Sequence, residues 1–118
     1  MTRTFIEVPL FTKRWLEIGL SDDELQQLQI MLLKDPESGP VIEGTGGIRK
    51  VRFPIANQGK RGSVRVCYTD FAEYEIIYLI TAFKKKEQDN LTAEEKIALK
   101  KLVKSGMLFF QFLWKIIS

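Results

Sequence analysis

Six cations and no carboxylate occupy residues 44–69: Arg49, Lys50, Arg52, Lys60, Arg61 and Arg65 all fall between Glu43 and Asp70. All fifteen acids stand outside that window, among them Asp22, Asp23, Glu24, Asp35 and Glu37 before it and Asp70, Glu73 and Glu75 just after it. A formal net charge of +3 therefore conceals a concentrated positive patch. Such a patch suits a polyanion, because lysine and arginine contacts to phosphate commonly dominate nucleic-acid affinity. Arginine stays charged and presents a planar donor fork that matches phosphate. Like charges opposite one another destabilise a sheet, so arginines in strand-like sequence without acidic partners favour a ligand that offsets their repulsion.

Other chemistries lack their parts. The chain has no histidine, the commonest general acid or base and the commonest zinc ligand. Ser63 and Thr81 consequently have no base to activate them. Cys67 is the only cysteine, which allows no internal disulfide and no metal-ligand spacing, and its strand-like setting predicts a buried, inert thiol. Neither a cofactor nor a metal is expected. Residues 44–47 read Gly-Thr-Gly-Gly, but no Gly-Lys-Ser/Thr follows and the next element is a strand, so they predict a turn and not a phosphate loop. Tyr68 and Tyr78 suit the core, while Tyr74 could stack on a base. Glu87 and Asp89, beside Lys84, Lys85 and Lys86, read as acids of a helix approach, with proton acceptance as the alternative.

These residues need elements to hold them. At 118 residues, 45% apolar and 28% charged, the chain predicts one globular domain with its own core. The start lacks the apolar run of a signal peptide and no segment reaches the ~20 apolar residues of a membrane span, so a cytoplasmic location and no membrane span are expected. A short strand within residues 2–8 leads to Pro9, which can open a helix carrying Phe11, Trp15 and Ile18 on one stripe, with Gly19 as its stop. Ser21-Asp22-Asp23-Glu24 is a capping box, and Leu25, Leu28, Met31 and Leu32 line the helix that follows until Asp35-Pro36. The short linker predicts that the two helices form a hairpin.

After residue 47 the period changes to two. Strands are predicted at 48–53, 64–69 and 74–83, joined by antiparallel turns. The last is apolar on both faces, with Ile76, Tyr78 and Ile80 on one and Ile77, Leu79 and Phe83 on the other, which predicts a central strand. Thr92-Ala93-Glu94-Glu95 is a second capping box, before a helix with Ala98, Leu99, Leu102 and Val103 on one side. Strand alternation sets Lys50 and Arg52 opposite Val51 and Phe53, and Ser63, Arg65 and Cys67 opposite Val64, Val66 and Tyr68. With the apolar sets on the helices, Lys50, Arg52 and Arg65 converge on an open sheet face, and the lysines at 84–86 close one rim.

The order of elements and three spaced segments resemble the RelE/HigB-like toxins of bacterial type II toxin–antitoxin systems, in particular the HigB-like branch. The segments are 44–52 (Gly-Thr-Gly-Gly-Ile-Arg-Lys-Val-Arg), 59–68 (Gly-Lys-Arg-Gly-Ser-Val-Arg-Val-Cys-Tyr) and 79–87 with Asp89-Asn90-Leu91-Thr92, and the resemblance runs from about residue 5 to 103. It implies an α/β (α+β) fold: a small, mostly antiparallel sheet, an N-terminal helical hairpin on one face and a C-terminal helix. It implies cleavage of mRNA in the A site of the small ribosomal subunit, and neutralisation by a small antitoxin, a helix-turn-helix protein of the HigA-like kind. The family's cations fall on Lys50, Arg52 and Arg65, and its last one on Lys85 or Lys86. Lys50, Arg52, Arg65 and Lys86 are thus the expected catalytic set, with Arg49, Lys60, Arg61, Lys84 and Lys85 as RNA-binding residues. Lys84 replaces the family's usual glycine, and the tyrosine or histidine that some members carry near the C-terminal end has no equivalent. Asp89 and Thr92 lie near that position.

The chemistry expected is attack of the RNA 2′-hydroxyl on the adjacent phosphorus, without a metal. Arg52 and Arg65 would stabilise the phosphate and Lys50 would transfer the proton. Within this fold the alternative is a ParE-like gyrase inhibitor; outside it, a non-catalytic RNA-binding or interaction module. The toxin domain is drawn at 1–106. Residues 107–118 form an apolar tail, nine of the eleven residues 107–117 being apolar, and this predicts a buried helix or a self-association surface.

Overall fold

The computed structural model describes residues 2–55 and 63–85 and, within 93–105, residues 93, 94, 96, 97, 99–101, 104 and 105. Strand β1 (Thr4–Glu7) is followed by helix α1 (Pro9–Ile18), helix α2 (Asp22–Lys34) and strands β2 (Arg49–Pro54), β3 (Ser63–Phe71) and β4 (Ile76–Lys84). The strands form one sheet in the order β1-β4-β3-β2. Among the described residues only the β1–β4 pairing is parallel, and β4 lies inside the sheet, as its two apolar faces predict. Where residues 93–105 are described they are helical.

Local chemistry accounts for the hairpin. Pro9 begins α1, where a missing N–H costs nothing, and the helix ends at Gly19. The capping box of α2 is formed in full: Ser21 Oγ accepts from the Glu24 amide at 3.1 Å, and Glu24 Oε1 accepts from the Ser21 amide at 2.9 Å. Asp22, Asp23 and Glu24 then sit at the positive end of the helix dipole. The hairpin buries Phe11, Trp15, Leu20, Leu28 and Leu32 against Val51, Phe53, Val64, Val66, Tyr68, Ile77, Leu79 and Ala82. Phe11 and Trp15 stack at 5.3 Å, and Trp15 meets Phe53 at 5.9 Å.

The opposite sheet face departs from the expected open surface. Ile48, Cys67, Phe71, Ile80, Phe83 and Leu99 form a second buried cluster there, with Val8, Ile42, Tyr74 and Tyr78 packed against it. Leu99 brings the C-terminal helix onto this face. The cause is the apolar second face of β4, which needs its own cover. A bulge adds to it. The register steps from Cys67↔Thr81 to Tyr68↔Leu79, leaving Ile80 as the extra residue on β4. Strict alternation puts Phe83 with Ile77 and Leu79; the bulge reverses the parity and sends Phe83 to the second cluster.

Loops are pinned to the sheet by side chains. Thr45, fully buried, donates to the Ile42 carbonyl at 2.6 Å and accepts from the Ile48 amide at 3.1 Å, while Gly44, Gly46 and Gly47 all have positive φ. Residues 44–47 are thus a structural turn. The Arg3 guanidinium donates to both carboxylate oxygens of Asp70, at 2.8 and 3.2 Å, fixing the start of β1 across β4 to β3. That bond, more than any other influence, holds the Arg3 guanidinium above its ordinary pKa. Burial likewise pushes the Tyr78 phenol up.

Candidate nucleic-acid interface

The antiparallel register of β2 and β3 sets Arg52 directly opposite Arg65 and Lys50 opposite Cys67. On the far side of β3, Arg65 faces Phe83 and Cys67 faces Thr81. Two rows therefore cross the second face, Arg52–Arg65–Phe83 and Lys50–Cys67–Thr81. Directly paired residues on neighbouring strands lie about 4.5–5.5 Å apart, so the two arginines share one locus. Arg52 is exposed, and Arg65 and Lys50 are half-buried. Arg65 donates to Ser63 Oγ at 3.4 Å, a long contact that leaves its fork available. Among the described residues, neither Arg52 nor Arg65 forms an ion pair. Phe83, Cys67 and Thr81 make a dry floor beside these charges, buried to 2%, 0% and 7% exposure. A low-dielectric wall of this kind strengthens the field of fixed cations.

The remaining cations are dispersed. Arg49 belongs to the helix-side parity of β2, and its guanidinium is engaged with loop 36–40. It donates to the Gly39 carbonyl at 2.8 Å and the Glu37 carbonyl at 3.3 Å, and lies 3.8 Å from the Glu37 carboxylate. Lys84 pairs with Val64, so the bulge turns it toward the hairpin side of the sheet, away from Arg65. It is exposed, as is Lys85 in the turn that follows. The rim expected from residues 84–86 is thus not on the arginine face at Lys84. Lys60, Arg61, Lys86, Glu87, Asp89, Thr92 and the tail at 107–118 lie outside the described residues. Among the described residues, no group of three or more His, Cys, Asp or Glu gathers to hold a metal, and no helix is long and apolar enough to cross a membrane.

The structure adds residues that sequence reasoning missed. The Tyr68 hydroxyl donates to the Pro36 carbonyl at 2.8 Å and accepts from the Gly39 amide at 3.1 Å, both buried. The Lys50 amide donates to the Pro40 carbonyl at 3.0 Å, and Val41 bridges to Arg49. Loop 36–40 thus lies along the outer edge of the strand carrying Lys50 and Arg52. The Ser38-Gly39-Pro40 run signals a turn, but no local rule says which strand it will rest on.

Known structures share this fold. An E. coli RelE toxin bearing two arginine-to-alanine substitutions, solved in the free state, superposes with a TM-score of 0.56 at 16% identity, covering 83% of this chain and 97% of that one. RelE in the intact E. coli RelBE toxin–antitoxin complex gives a TM-score of 0.51 at 17% identity, covering 70% and 96%. At such identities the likeness is one of fold. Family membership comes from the sequence: the model of the RelE toxin of the RelE/RelB toxin–antitoxin system matches residues 10–111, extending past the boundary drawn at 106. These matches are to RelE proteins and do not single out the HigB-like branch. With nearly the whole chain matched and the sheet and helices in place, this protein belongs to the RelE family of toxin–antitoxin toxins.

Proposed function

We propose that the chain is a ribosome-dependent endoribonuclease that cuts mRNA in the A site and so inhibits translation, acting in the cytoplasm with no cofactor. The observation that carries this reading is the Arg52–Arg65 couple, which forms no ion pair among the described residues, set on an antiparallel register beside a buried apolar cluster. When a 2′-hydroxyl attacks the adjacent phosphorus, negative charge grows on the nonbridging oxygens and the 5′-oxygen leaves. Two guanidinium groups aimed at one locus answer that charge, and donors fixed in advance need no reorganisation as it develops. Lys50, one row away on the same face, would handle the proton, and the ribosome would supply in-line alignment of the mRNA. Lys86 would serve the same phosphate, and Lys60, Arg61 and Lys85 would meet the RNA backbone around it, whereas Arg49, tied to loop 36–40, and Lys84, on the hairpin side, leave that set. The antitoxin of relatives, seen bound to E. coli RelE as a RelB peptide, suggests that a small protein partner restrains this chain too. The test is a translating extract: the protein should cut the translated mRNA and leave the same RNA intact when naked. Intact mRNA with altered DNA supercoiling would favour a gyrase inhibitor, and neither effect would favour a binding module.

A further inference from the structure

We propose that Gly39 is a positioning residue: loop 36–40 is seated on the Lys50 peptide and so aims the edge strand from which Lys50 and Arg52 act. This inference rests on the nuclease reading above. The seat depends on closeness. A β-carbon at Gly39 would lie 2.7 Å from the Lys50 carbonyl oxygen, 2.8 Å from its carbon and 3.1 Å from Val51 Cβ. The two nearest obstacles are backbone atoms, which cannot swing aside as the end of a long side chain can. Only glycine lets the loop lie this close.

The loop is also held from behind. Tyr68, fully buried in the helix-side core, bonds Pro36 and Gly39 through one hydroxyl. Arg49 clamps the Gly39 carbonyl, and the Lys50 amide bonds the Pro40 carbonyl. Among the described strands β2 lies at the sheet edge beside β3, and loop 36–40 braces its outer side. A methyl group at position 39 sets the loop against the Lys50 peptide. Because the phenol ties the loop to the core, the displacement falls on the strand edge and tilts Lys50, with Arg52 two residues on.

The experiment compares the full chain and Gly39→Ala in single-turnover cleavage on mRNA-programmed ribosomes, alongside amide spectra and thermal unfolding. A small misplacement of catalytic groups can cost up to about 100-fold in rate. The expected result is a rate constant lower by about 10- to 100-fold at unchanged half-saturation, with shifted Lys50 and Arg52 amides in a folded protein. Adding Tyr68→Phe slackens the tether, so the double variant should regain part of the rate while melting at a lower temperature. A purely structural role gives the opposite pattern: a lower melting temperature, an unchanged rate per folded molecule and no rescue. That pattern overturns the proposal. Should Gly39→Ala fail to fold, Tyr68→Phe alone decides, a several-fold lower rate at unchanged half-saturation supporting the proposal and a full rate overturning it. A wild-type protein that cuts no mRNA overturns the nuclease reading and this inference with it, whereas an active wild type with an equally active Gly39→Ala overturns this inference alone.

Discussion

Arg52 and Arg65 repel one another across β2 and β3, and within the described residues no carboxylate relieves them. Replacing either with alanine should therefore leave the urea midpoint unchanged or slightly raised. Ribosome-dependent cleavage should meanwhile fall by about 100-fold or more, the usual effect of removing one donor to a developing oxyanion. Arg49 should behave in reverse. Its guanidinium ties loop 36–40 to the sheet, so Arg49→Ala should lower stability by about 1 kcal/mol, read from denaturant unfolding. The contrast separates a charge placed for a ligand from one placed for the fold. Alternation alone put Arg49 and Arg52 on opposite faces. What the sequence did not reveal was the partner of Arg49, a carbonyl ten residues upstream that only the loop's path brings near.

The helical hairpin was the most legible element because its signals are local: Pro9 at the helix start, Gly19 at the stop, and Ser21 with Glu24 as reciprocal caps. Ser21→Ala should cost about 1 kcal/mol, measured as a lower urea midpoint at unchanged slope. The face pattern of β4 was legible up to Ile80, which shares the second cluster with Tyr78 as alternation predicts. The bulge at Ile80 arises from pairing with β3, and period-two reading has no means to foresee a parity change that depends on the neighbouring strand. It has two consequences: Phe83 becomes the floor beside Arg65, and Lys84 turns to the hairpin side. The second cluster escaped notice for a related reason, since Cys67 and Ile48 acquire cover only when Leu99 arrives from the C-terminal helix. Arg3 and Asp70, 67 residues apart, likewise carry no joint signal in sequence. Asp70→Asn should lower the thermal midpoint and weaken hydrogen-exchange protection of β1, because it leaves Arg3 without its ion partner in a site where both side chains are only about a tenth exposed.

At the scale of the whole molecule, the hairpin covers one sheet face and Leu99 brings the C-terminal helix onto the other, where the arginine row at the end of β2 and β3 lies beside a buried cluster. A net charge of only +3 gives little general attraction to RNA, so engagement should depend on a few localised contacts. Each phosphate contact to a single strand contributes about −0.7 to the slope of log affinity against log salt. Binding to mRNA-programmed ribosomes should lose about that much slope on each of Arg52→Ala and Arg65→Ala, whereas Lys13→Ala on α1 should change nothing. The decisive comparison is single-turnover cleavage of ribosome-bound mRNA by the wild-type protein and by the Arg52→Ala/Arg65→Ala double variant, with folding checked by circular dichroism. The expected result is clean cutting by the first and none by an equally folded second. Undiminished cutting by the double variant would contradict the account and place the phosphate site elsewhere on the molecule.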